Sequence, residues 1–389
     1  MVKKFSLLAV AAGVAMALAS QAHAAVGGTL KPMIGVATLD DSGISPNIVV
    51  GDPNGNPPDT PALHVDANTS ASDFSGVVSI NIRYSGQSFI CSGTLVSSTK
   101  VVSAGHCVDT SGQGTVIDVS SPFATSGRDV RVIFNSNGNT NALITASAVA
   151  MDPKYLGFGI CPAGNDPNAF CVNHDFSVIT LSTPAPSTAK IYSVLGNALS
   201  GPVPLTMVGY GTSGNGVSGY TISPSFNVKR SGQNIAEYYE KDDFQFFNGG
   251  PNGVYYADFD GTTAEQNLFC TSSHNADWGP LCAPTLANNL ESSIGGGDSG
   301  GSAFVKINGQ WVLAANNTFS GTYTNQTGGT FGTYFGGITT GADIDFLVAA
   351  GGGTINVVTV PEAQTYAMML LGMAGIGGLV RRRRAAAQA

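Results

Sequence analysis

Apolar and polar positions along this chain fall into runs of four to eight residues, too short for helices and often alternating one by one. Val77-Val78-Ser79-Ile80-Asn81-Ile82, Val130-Arg131-Val132-Ile133-Phe134 and Trp311-Val312-Leu313-Ala314-Ala315 each predict a strand. Phe89-Ile90-Cys91 and Gly93-Thr94-Leu95-Val96 predict two more. Asp175-Phe176-Ser177-Val178-Ile179-Thr180-Leu181 alternates as a half-buried strand does, and Val101-Val102 followed by Ser103-Ala104-Gly105 reads as a strand end opening into a tight turn. Ser97-Ser98-Thr99-Lys100, Asn135-Ser136-Asn137-Gly138 and Asn308-Gly309 punctuate these runs with turn residues. Helical periodicity is nearly absent outside the two termini. The pattern predicts an all-β body, a sandwich or barrel.

The termini carry a different pattern. Lys3 and Lys4, an apolar run from Phe5 to Leu18 and the small-residue site Ala22-His23-Ala24 predict a signal peptide over residues 1–24. Residues 25–72 follow, with Asp52-Pro53-Asn54-Gly55-Asn56-Pro57-Pro58-Asp59 too polar and too rich in Pro and Gly to pack, so they read as an N-terminal extension or propeptide. At the other end, Val360-Pro361-Glu362 precedes an apolar stretch from about 363 to 380 and then Arg381-Arg382-Arg383-Arg384. A marginally spanning transmembrane segment stopped by a basic cluster is the physical expectation for 359–389. This tail resembles the PEP-CTERM sorting signals of Gram-negative bacteria, although Ala363 stands where such signals usually repeat proline. The resemblance implies an exosortase-type processing enzyme acting on the tail, after signal peptidase has acted on the leader. Expected locations are the periplasm, cell envelope or extracellular matrix, with transient membrane insertion through the tail before processing.

Composition sharpens this picture. Gly makes up 51 of 389 residues, about twice the ordinary share. The formal net charge is −8, and setting aside two lysines of the leader, four arginines of the tail and Glu362 leaves 11 basic against 24 acidic residues in the body. So acidic a body has no footprint for nucleic acid, which excludes that class of partner. Six cysteines, all in the body, favour disulfides in an exported chain. No Cys-X-X-Cys occurs, so no metal site is expected and no cofactor is implied. Spacing alone does not decide the pairing; nearest neighbours suggest Cys161–Cys171 and Cys270–Cys282.

The chemistry is concentrated in Gly295-Gly296-Gly297-Asp298-Ser299-Gly300-Gly301. Serine is a weak nucleophile unless a base takes its proton and something stabilises the oxyanion that forms. Flanking glycines permit backbone turns that could aim the amides of Gly297 and Ser299 at one point, an oxyanion hole. Such a loop calls for a base and an orienting acid. Of five histidines, His23 is in the leader, His64 in the Pro/Asn/Asp-rich stretch and His274 between two cysteines; His174 adjoins Asp175 but is expected on the opposite side of its strand. His106, in Ser103-Ala104-Gly105-His106-Cys107, is the well-placed base.

Ser-Ala-Gly-His-Cys, Asp-Phe-Ser-Val-Ile-Thr-Leu and Gly-Asp-Ser-Gly-Gly stand in the order of the trypsin-like (chymotrypsin-fold) serine peptidases, and the chain resembles that family over about residues 73–350. Val208-Gly209-Tyr210-Gly211 resembles the turn that opens the family's second barrel. The resemblance implies two packed antiparallel β-barrels with the active site between them. Catalytic roles would fall to Ser299 as nucleophile, His106 as base and Asp175 as its orienting acid. It also implies a Cys91–Cys107 disulfide beside the histidine and a polypeptide substrate. In the family the aspartate before the nucleophile, here Asp298, is locked by a new amino terminus of Ile-Val-Gly-Gly type; Ala25-Val26-Gly27-Gly28 is the stretch considered for it. Ser293 and Ile294 fall at the substrate pocket, where a neutral floor implies cleavage after apolar residues rather than Lys or Arg. Competing classes are a catalytically inactive binding module of the same fold, a surface or matrix protein and, further off, an esterase, whose usual order of triad residues differs.

Overall fold

The computed structural model describes residues 29–32, 35–36, 48–139, 142–162, 171–240, 253–270, 283–322 and 326–360. The leader, Ala25-Val26-Gly27-Gly28, Cys282 and the tail from Pro361 onward lie outside them. Among the described residues no helix is long and apolar enough to cross a membrane.

Three short strands come first: β1 (Thr29–Pro32), β2 (Gly35–Val36) and β3 (Ile48–Val50). A closed barrel follows, built from β4 (Val77–Tyr84), β5 (Gln87–Ser97), β6 (Lys100–Ser103), β7 (Asp129–Phe134), β8 (Ala142–Met151) and β9 (Ser177–Leu181). The ring runs β5-β4-β7-β8-β9-β6 and returns to β5. Closure depends on β5, which pairs with β4 from Gln87 to Thr94 and with β6 from Thr94 to Ser97, the latter pairing containing a register shift between Leu95 and Ser97. Phe89-Ile90-Cys91 and Gly93-Thr94-Leu95-Val96, expected as two strands, are one. Gly93 is instead where strands crowd: a Cβ there would stand 2.7 Å from both Ile80 Cδ1 and Val101 Cγ1. Inside, Val78, Ile80, Leu95, Val101, Val130, Val132, Phe134 and Ile179 are wholly buried together, each contributing roughly 1.5–3 kcal/mol.

The second half holds β10 (Ser193–Leu195), β11 (Val203–Gly209), β12 (Ser213–Asn215), β13 (Gly219–Ile222), β14 (Arg230–Ala236), β15 (Tyr238–Glu240), β16 (Val254–Asp258), β17 (Ser302–Ile307), β18 (Gln310–Asn316), β19 (Phe319–Thr322), β20 (Tyr334–Ile338) and β21 (Val357–Val358). β11 pairs with β14 and β17, and β17 with β18. Past Glu237, β14 continues as β15, which pairs with β16, and β16 pairs with β20. A bridge from Ala315 to Thr339 joins β18 to the end of β20 and completes a second ring. The all-β, trypsin-like fold is therefore present, with two antiparallel barrels. Val77, Ile90, Val102 and Val178 of the first pack in one cluster with Val208, Phe304 and Leu313 of the second. A helix, Ile344–Gly351, follows and ends at Gly352 in the left-handed conformation.

One expectation fails here. From Ile48 onward the N-terminal region is packed rather than loose. Val49 exchanges backbone hydrogen bonds with Ser293 (3.0 and 2.9 Å), and β3 lies parallel to β12. Asn288 donates to the carbonyls of Asp52 and Pro57, while Asp59 is wholly buried against His64 and the amide of Gly51. Polar side chains stand in for the apolar contacts that Pro and Gly cannot make.

Candidate active site

His106 is held from three directions. Its amide donates to Asp175 Oδ1 at 2.7 Å, and its Nδ1 lies 2.6 Å from Asp175 Oδ2. The next residue, Cys107, is bonded to Cys91 on β5. The ring of Phe158 meets the imidazole edge-on, with centroids 5.8 Å apart. Asp175 is wholly buried, and its carbonyl accepts from Asn316 Nδ2 at 2.7 Å, which ties the start of β9 to the end of β18 in the other barrel. With Nδ1 facing a carboxylate, the imidazole turns Nε2 outward as an acceptor. Ser299 Oγ lies 2.6 Å from that Nε2.

Ser299 comes from the second barrel, on a loop that glycine makes possible. Gly297 (φ 106°) and Gly300 (φ 73°) sit in the left-handed region, and a Cβ on Gly300 would stand 2.1 Å from Ser103 Oγ. The amides of Asp298, Gly300 and Gly301 donate to backbone carbonyls. Among the described residues those of Gly297 and Ser299 donate to nothing, which leaves two donors beside the hydroxyl.

Asp298 braces this loop from beneath. It is wholly buried and accepts from Gly211 N at 2.8 Å and Gly295 N at 2.9 Å. Burial pushes its carboxyl up to about 7, against the pull of those two amides and of the Arg230 guanidinium. Arg230 is itself wholly buried, with Nε donating to Pro61 O at 2.6 Å, and burial pushes it down to about 9. Neither motif nor spacing pointed to Arg230 or Phe158. The Ile-Val-x-Gly stretch beside this loop is Ile48-Val49-Val50-Gly51, next to Ser213 and Ser293, a match the sequence reading passed over.

Ser293 and Ile294 are both buried, and Ser293 Oγ has no hydrogen-bond partner among the described residues. Ile294 packs with Ile48, Leu205 and Met207, while its carbonyl accepts from Tyr220 OH at 3.1 Å. Tyr220 also reaches Ser320 of β19, so the loop before Ser299 and β19 are fastened together. The disulfides Cys91–Cys107 and Cys161–Cys171 are both formed; the expected Cys270–Cys282 bridge involves Cys282, outside the described residues.

His64 and His174 are engaged elsewhere. His64 bonds Asp59 and the carbonyl of Ser231. His174 precedes β9 in the left-handed region (φ 49°), so a turn rather than strand alternation directs it to Asp343, 2.5 Å away at the head of the helix. Asp152, His174 and Asp343 offer ligand atoms within 4.8 Å of one another, the one such group among the described residues. The bonded pair accounts for two of the three. Hydrogen bonding to Asp343 and the charges of Asp343 and Asp152 raise the His174 imidazole pKa against the desolvation of its site.

A nucleophilic hydroxyl, a base with its acid, and two unspent amides are together equipped for acyl transfer. A search of curated proteins returns no match. The sequence model of the family described as Trypsin matches residues 66–223, a stretch that takes in His106 and Asp175 and ends before Ser299. That match supports a trypsin-like serine peptidase.

Proposed function

We propose that this protein is an exported serine endopeptidase that cleaves polypeptides through an acyl-enzyme. The observation that carries the proposal is the unbroken line Asp175 Oδ2, His106 Nδ1, His106 Nε2, Ser299 Oγ, with 2.6 Å at each contact. In the first step His106 Nε2 takes the hydroxyl proton while Oγ attacks the scissile carbonyl, and Asp175 stabilises the imidazolium. The amides of Gly297 and Ser299 receive the oxyanion. Collapse breaks the C–N bond as His106 returns the proton to the leaving amine. Water then repeats the sequence on the ester, releasing the acid and restoring Ser299.

Ser293 supplies no charge at the pocket floor, so the preferred residue on the acyl side is apolar; a buried Lys or Arg would lack its counter-charge. Signal peptidase would remove residues 1–24, and an exosortase-type enzyme would act on the tail. The decisive experiment is labelling with a fluorophosphonate probe. Labelling of the wild type and its loss in Ser299→Ala support the peptidase. A correctly folded wild type that takes no label would instead favour an inactive binding or matrix protein.

A further inference from the structure

One residue before Asp175 begins a second group of buried ionisable side chains. Asp152 follows the last residue of β8, His174 lies in the turn that leads into β9, and Asp343 heads the helix Ile344–Gly351. Each offers one ligand atom, and these atoms lie within 4.8 Å of one another. The three come from separate stretches of chain, so no motif spacing announced them. A carboxylate at the head of a helix ordinarily accepts the amides of the first turn. Asp343 makes no such bond. Its Oδ1 turns instead to His174 Nδ1, 2.5 Å away. Its Oδ2 is buried with no hydrogen-bond partner among the described residues, in a side chain only 1% exposed. Sharing a carbon with Oδ1, that oxygen lies beside the imidazole nitrogen, and a buried carboxylate oxygen without a donor is costly.

A proton on His174 leaves this group short. One imidazolium would face two buried carboxylates, Asp152 and Asp343, and Oδ2 of Asp343 would still lack a partner. Asp152 Oδ1 accepts the amide of Lys154 at 2.8 Å, but the Lys154 side chain is exposed and its charge bears least on either Asp152 or His174. A divalent cation bound to the neutral imidazole balances both carboxylates in full and gives Oδ2 its partner. The donor set chooses among cations. Calcium and magnesium favour oxygen ligands throughout, whereas one imidazole with two carboxylates and a water suits zinc. Donor atoms around a tetrahedral zinc stand about 3.3 Å apart, between the 2.5 Å of the His174–Asp343 contact and the 4.8 Å that bounds the group.

We propose that Asp152, His174 and Asp343 bind a zinc ion, His174 through Nδ1 and each aspartate through a carboxylate oxygen, with water as the fourth ligand. The ion displaces the proton shared by His174 and Asp343 and takes no part in acyl transfer. It fastens the end of β8, the turn into β9 and the head of the helix to one point. His174 is bonded directly to Asp175 along the chain, so the same staple fixes the backbone that carries the orienting acid. Binding does not require Ser299 to be active, and the proposal stands or falls apart from the peptidase reading.

The test strips the full chain with a chelator and titrates it with Zn²⁺, reading heat and melting temperature. The wild type is expected to bind about one ion per chain and to melt several degrees higher in an excess of zinc. His174→Ala and Asp343→Asn, each checked for cooperative melting, should weaken binding by ~100-fold or more. His106→Ala should bind as the wild type does, which separates this site from capture of zinc by the catalytic imidazole. Should either site variant fail to fold, X-ray absorption at the zinc edge of the wild type answers the same question. One nitrogen donor with oxygen donors at about 2.0–2.2 Å is expected there. The proposal is overturned by a wild type whose melting temperature zinc does not move, by binding lost in His106→Ala, by binding kept in the folded site variants, or by a shell of two or more nitrogens.

Discussion

The two barrels contribute to one line of hydrogen bonds but differ in how many carboxyls they bury close together. In the first, a buried carboxylate is surrounded by donors. Asp175 accepts from the amide and ring of His106, and Asp109 accepts the amides of Ser111, Gly112, Gly114 and Thr115. In the second, Glu237, Asp258, Asp260 and Glu291 are buried close together, and burial pushes all four carboxyls above their usual range. For Asp258 the charges of Asp260 and Glu237 add to the effect. The difference teaches that the base side of the site is fastened by donors and a disulfide, whereas the nucleophile side stands on an interior that favours protons.

The strongest test of the comparison removes one member from each barrel. Ser299→Ala and His106→Ala are each expected to lower kcat/KM by ~10⁴-fold or more, and the double variant to be no worse than either single one. Additive losses, measured on a peptide substrate with an apolar residue on the acyl side, would mean that the two barrels do not act as a unit.

Next in size is the clamp on the base side. Replacing Cys91 and Cys107 together by Ser opens a loop of 16 residues, which is expected to cost about 2–4 kcal/mol in a denaturant melt. The loss should exceed that from the equivalent change at Cys161 and Cys171, whose separation is 10, and it should lower kcat through a displaced His106.

Acidity should act on the nucleophile side. Glu237 titrates at about 7 and Asp260 at about 6 in the folded chain, against about 4 for carboxyls in an unfolded one. Between those values the folded form holds protons that the unfolded chain has released, so stability falls as pH rises from about 4 to 7. Lys229 and Arg230, lowered by burial to about 8 and 9, act in the opposite sense only above that window. Melting temperature is therefore expected to be several degrees higher at pH 5 than at pH 7.5, and Glu237→Gln should flatten the slope. A melting temperature that climbs between pH 5 and 7.5 would contradict the contrast between the barrels.

How much of this was legible in the sequence depends on how local each cause is. His106, Asp175 and Ser299 sit in short motifs whose neighbours are fixed by chemistry and tight turns, and the structure brings all three together. The packing of residues 48–72 was not legible, because its partners are distant: Ser293 for Val49, Asn288 for Asp52, Ser231 for His64. Composition weighs a segment's own residues and sees no partner 167 or more positions away. Phe158 against His106 and Arg230 beneath Asp298 share that origin. A lone aromatic in a loop and a lone arginine on a strand carry no local mark of where the fold will bury them.

The smallest effect probes how the loop before Ser299 is joined to β19. Tyr220 OH donates to Ile294 O at 3.1 Å and lies 3.4 Å from Ser320 Oγ. Removing it with Tyr220→Phe keeps the ring packed and takes away one hydroxyl, at a cost of about 1 kcal/mol. Neither contact involves His106, Asp175 or the amides of Gly297 and Ser299, so the chemical step should be spared. The expected outcome is a raised KM with kcat close to that of the wild type, and a change in kcat/KM below about tenfold. A fall in kcat with KM unchanged would mean instead that Tyr220 holds the Ser299 loop in shape, and that the nucleophile side is less self-supporting than its bracing by Asp298 implies.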